Sequence, residues 1–93
     1  MTHFEAISHK AIAADTAWQN AQINELDLKN VISLLDQEIN ELKSQMPKED
    51  YKKLKLQVDG LKWHVSLANP QHQAQIMHDV FTSITKVVEK IFQ

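Results

Sequence analysis

Residues 32 to 51 decide how this chain is read: Ile32-Ser33-Leu34-Leu35-Asp36-Gln37-Glu38-Ile39-Asn40-Glu41-Leu42-Lys43-Ser44-Gln45-Met46-Pro47-Lys48-Glu49-Asp50-Tyr51. Up to Met46 the apolar residues Ile32, Leu35, Ile39, Leu42 and Met46 recur every three or four positions, the spacing of one helical face. Pro47 follows, with Glu49 and Asp50 behind it, and proline with trailing acids marks a helix start. The next apolar residue, Tyr51, stands five positions after Met46, a step that one helical face does not keep. The stretch therefore predicts a chain reversal at 46–48 between two helices.

Working back toward the N-terminus, the same seam continues through Leu28, Glu25, Ala21, Trp18, Ala14, Ala11, Ile7 and Phe4. Glu25 is its one polar member, and residues 1 to 46 hold neither Gly nor Pro. This predicts a single first helix over about 3–45, roughly 60 Å long at 1.5 Å per residue. Beyond Pro47, the series Tyr51, Leu54, Val58, Leu61, Val65 and Ala68 predicts a second helix over about 48–68. Asn69-Pro70 is another capping and first-turn pair, and helical spacing runs from Ile76 to Phe92. Residues 70–92 are thus either a kinked continuation of the second arm or a third helix.

Charge and size fit antiparallel arms. Residues 1 to 46 carry three Lys against seven acids, a net −4, and residues 47 to 93 carry seven Lys against five, a net +2. The thin stretch Ala11, Ala14, Ala21 would face the bulky Met77, Phe81 and Ile84. The expected fold class is all-α: one domain over 1–93, a long antiparallel coiled-coil-like hairpin, reaching a four-helix or larger bundle by self-association.

Composition narrows the chemistry. A 93-residue chain with one Gly and two Pro lacks the turn residues of an all-β or α/β fold. With no Cys there is no disulfide, thiolate nucleophile or cysteine-held metal. All ten cations are Lys, so no guanidinium is present to grip a phosphate or base edge in two-pronged fashion. Lys48, Lys52, Lys53 and Lys55 cluster, but Glu49 and Asp50 interrupt them and the net charge is −2; nucleic acid is not expected as a partner. Nor is membrane insertion, since no apolar run approaches the ~20 residues that a span needs.

Five His residues include no i, i+4 pair, so no metal or cofactor is expected. Ser8 and His9 face apart on a helix, Glu38 and Glu41 read as solvated charge, and no glycine-rich phosphate loop exists. No small-molecule substrate is expected, and the chain reads as non-enzymatic. Met1-Thr2-His3-Phe4-Glu5 has no basic-then-apolar pattern, which sets a cytoplasmic expectation, with signal-less export or particle association left open.

The candidate site is a second apolar stripe. On a helical wheel Ile23, Leu26 and Leu34 point away from the first seam, with Val31 between the two sets. On the second arm Leu56, Trp63 and Leu67 lie opposite the seam, with Gly60 beside them. In a hairpin these residues stand at one height and form a patch that two helices leave uncovered. Either residues 71–92 fold back over it, or another chain does. A glycine inside a helix costs about 1 kcal/mol relative to alanine, which suggests close approach at Gly60. Trp63 is the natural anchor of an interface.

The expectation is a protein–protein interaction module (a small adaptor, chaperone or inhibitor) whose partner is another protein or itself, a homodimer foremost. The alternative is an assembly subunit that polymerises through the same patch. With a proline-marked turn and fewer than 100 residues, the plan resembles the needle subunits of type III secretion and the Trp-x-Gly hairpins exported by type VII systems. Trp18-Gln19-Asn20 and Trp63-His64-Val65 carry no glycine, so the resemblance is one of shape.

Overall fold

A computed structural model describes residues 3–65 and 70–92, the side chains of 70–74 and 92 excepted. The described residues form four helices, α1 His3–Gln19, α2 Glu25–Glu41, α3 Lys48–His64 and α4 Pro70–Phe92, with a 3₁₀ turn at Lys43–Gln45 before Pro47. The fold is all-α, as expected. The single first helix over 3–45 is not formed. It is divided at residues 20–24, and the long dimension of the molecule is 36 Å rather than the ~60 Å of an unbroken arm.

Local chemistry explains the division. Alanines, the best helix formers, fill α1 at Ala6, Ala11, Ala13, Ala14 and Ala17. The helix then closes with Ala21 in the left-handed region at φ 54°, its N–H bonded to the Trp18 carbonyl at 3.1 Å, and the Gln22 N–H bonded to the Ala17 carbonyl at 2.8 Å. That pair of bonds is the Schellman C-cap, built here without the usual glycine. Two residues later Asn24 caps α2, its Oδ1 accepting from the Asp27 N–H at 2.7 Å, and Glu25 and Asp27 place negative charge at the helix N-terminus. Glu25, the polar break in the seam, is thus the first residue of a new helix.

The predicted reversal at Pro47 is present. Pro47 (φ −57°, ψ 142°) stands one position outside α3, and the Tyr51 hydroxyl on α3 donates to Asn40 Oδ1 on α2 at 2.8 Å, beneath the Lys43 ammonium 5.1 Å from the Tyr51 ring. The second arm is also two helices. α4 packs against α3 from the opposite direction, so Pro70 opens a separate helix rather than a kinked continuation.

Each helix runs antiparallel to its neighbours, in the ring order α1, α2, α3, α4 and back to α1. Lys10 on α1 pairs with Glu38 on α2, Lys62 on α3 with Asp36 on α2, Lys90 on α4 with Asp50 on α3, and His78 on α4 with Asp15 on α1. The four-helix bundle expected from two associated hairpins is therefore completed within one chain. Ile7, Ala11 and Ala14 meet Leu28, Ile32, Leu35 and Ile39, Leu54, Val58 and Leu61, and Met77, Phe81, Ile84 and Val88 in one buried core. As size matching suggested, the small residues of α1 pack on the helix that carries Phe81 and Met77. Folding each arm back on itself buries a seam that a two-helix hairpin would leave half covered.

Candidate interaction surface

With the core seam turned inward, α3 presents its opposite side to solvent. Leu56 and Trp63, seven residues apart on one helical row, are 73% and 65% exposed. α4 does not cover them. It packs along the neighbouring side of α3, forming a groove of about 330 Å³ lined by Leu56, Gln57, Gly60, His64, Asp79, Val80 and Ser83. A Cβ built on Gly60 would meet nothing within 4 Å, so among the described residues no helix uses the glycine for close approach.

The α2 members of the stripe divide between positions. Leu26 is exposed on the outward side of α2. Leu34 is half exposed and lies one turn before Glu38, on the row that faces α1 through the Lys10–Glu38 pair. Val31 and Ile23 are partly buried at the rim of the core, where with Lys10, Ala13, Ala14 and Ala17 they line an α1/α2 groove of about 230 Å³. Leu67 lies outside the described residues.

The structure therefore brings Leu56, Gly60 and Trp63 together on α3 and Ile23 and Val31 together beside α1, with Leu26 and Leu34 exposed on α2, as separate surfaces rather than as one patch. Between them runs the α2/α3 seam, closed by charge. Asp36 accepts from Lys55 and, at 2.8 Å, from Lys62. Burial by itself would raise the Asp36 carboxyl, but these two hydrogen bonds and the two positive charges outweigh it and hold the carboxyl below its ordinary value. The hydrogen bond to Asp36 in turn raises the Lys55 ammonium, against the opposing effect of burial.

The α1/α2 groove escapes a reading from sequence alone, because it exists only when the first arm folds back. Its visible trace is that α1 carries alanine on two faces, Ala11 and Ala14 inward and Ala13 and Ala17 toward the groove. The Asp15–His78 contact at 2.7 Å, which ties α1 to α4, depends on the same fold-back. Among the described residues no helix is long and apolar enough to cross a membrane.

Compared with models of known protein families, with curated proteins and with solved structures, the chain matches none.

Proposed function

We propose that this protein is a non-catalytic interaction module that binds another protein chain through the outer face of α3. One observation carries the reading: Leu56 and Trp63 stand exposed on one row of a bundle whose described helices already enclose a shared core. Packing does not require a tryptophan there, and an exposed aromatic beside an exposed leucine is the kind of residue pair that anchors interfaces. The α3/α4 groove beside them, open at Gly60, offers a partner a notch at the edge of the same face.

A photo-crosslinking residue placed at position 63, and separately at exposed Lys86 on α4 as a control, tests this in the cells that make the protein. Discrete adducts from position 63, absent from position 86, are expected. Equal adducts from both positions, or none from 63, would overturn the proposal.

A further inference from the structure

The two apolar surfaces lie on oppositely charged halves of the chain and share one spacing. On α1 and α2, residues 3–41 hold two Lys against seven acids; on α3 and α4, residues 48–92 hold seven Lys against five. The row that carries Leu34 also carries Glu38, paired with the groove's Lys10, and Glu41, the acid left toward a partner. The row that carries Leu56 and Trp63 begins with Lys52 and Lys53. From Val31 to Glu41 along α2 is ten residues, about 15 Å, and from Trp63 back to Lys53 along α3 is also ten.

Resting on the reading of α3 as an interface, we propose that its partner is a second copy of this chain, bound head to tail. Trp63 of one copy seats over Val31 in the α1/α2 groove of the next, with α3 antiparallel to the α2 it docks on. In that register Lys53 reaches Glu41, and Leu56 comes level with Glu38 beside Leu34. The one acid of the docking row, Asp59, comes level with Ala13, a turn from Lys10. At about 230 Å³ the groove exceeds the ~150 Å³ of a cavity that holds a benzene ring, and so has room for one large side chain.

The donor surface on α3 and the acceptor groove between α1 and α2 are different parts of the molecule. The contact is therefore heterologous and leaves a free donor and a free acceptor at the ends of every complex, so assembly is open-ended. With one tryptophan and one leucine as its apolar centre, each contact falls at the small end of interface sizes, below about 1,200 Å², and the chains form and dissolve with concentration.

Light scattering over a concentration series, at low and high salt, tests the proposal. The weight-average mass is expected to climb without a plateau at low salt and to fall back toward monomer at high salt. Two variants fix the geometry: Trp63→Glu spoils the donor, and Ala13→Glu, at an exposed helical position, spoils the acceptor. Each alone, with unchanged helical circular dichroism, is expected to stay monomeric, and an equal mixture to form two-chain complexes and nothing larger. A mass that plateaus at a closed dimer, a monomer at every concentration, or a mixture that stays monomeric would overturn it. Position-63 adducts with a different protein, alongside a strictly monomeric chain, would overturn the self-association while leaving the interaction face standing.

Discussion

Lys62 on α3 donates a hydrogen bond to Asp36 on α2 across 26 positions of sequence, Nζ to Oδ2 at 2.8 Å. Lys55, two turns earlier on α3, holds the other carboxylate oxygen of Asp36. One acid thus pins two turns of the opposing helix, and it is among the better shielded charges of the molecule, its side chain 17% exposed. The pairing fixes which sides of α2 and α3 face each other, and so which sides are left outward for Leu26 and Trp63.

Asp36→Asn should accordingly destabilise the fold by about 1 kcal/mol, the upper end for ion pairs that keep some solvent. The pH dependence has a definite sign. Because the folded-state carboxyl lies below its unfolded value, the contribution is present above roughly pH 4 and is lost as pH falls through the lowered folded value. Lys55 is raised, so its share is present below roughly pH 10.5 and is lost as pH climbs through the raised folded value. Urea unfolding at a series of pH values should show the acid-side loss in the native chain and a shallower one in Asp36→Asn.

Ala21→Gly should stabilise the protein by about 1 kcal/mol. Alanine at φ 54° is strained by its Cβ, and glycine at that position of a Schellman cap is not. In an unbroken helix over 3–45 the same change would cost about as much as it gains here. Chemical denaturation of this one variant therefore separates the two architectures by sign alone.

Gly60→Ala should stabilise by roughly 0.5–1 kcal/mol, since position 60 is interior to α3 and the added methyl meets nothing within 4 Å. Thermal unfolding of the variant should show a raised Tm. A lowered one would mean that another part of the chain closes on the glycine.

The periodicity of the sequence specified the inner seam well: Ile7, Leu28, Ile32, Leu35, Leu54, Val58 and Phe81 are all in the core. It carried no sign of the reversal at residues 20–24, because Trp18 and Leu28 are ten apart, three plus four plus three, and the seam keeps its phase across the break. The signals that do mark the reversal are chemical rather than periodic, namely Asn24 with Asp27 as a cap and Glu25 in an apolar register. With the reversal silent in the periodicity, the two outer surfaces fall on one stripe of the sequence. A wheel shows that Leu34 points away from the core, but not that α1 lies on that side; only the fold-back reveals it.

The most direct measurement uses Trp63 as its own reporter. In a Trp18→Phe background, Trp63 is the sole tryptophan, and its fluorescence is followed as the protein is concentrated. The expected emission is that of a water-exposed indole when dilute, moving to shorter wavelength as chains associate and the ring is covered. An emission already short in wavelength at the lowest concentration, and unmoved by adding protein, would mean that the chain itself buries Trp63, and would contradict an interface on α3.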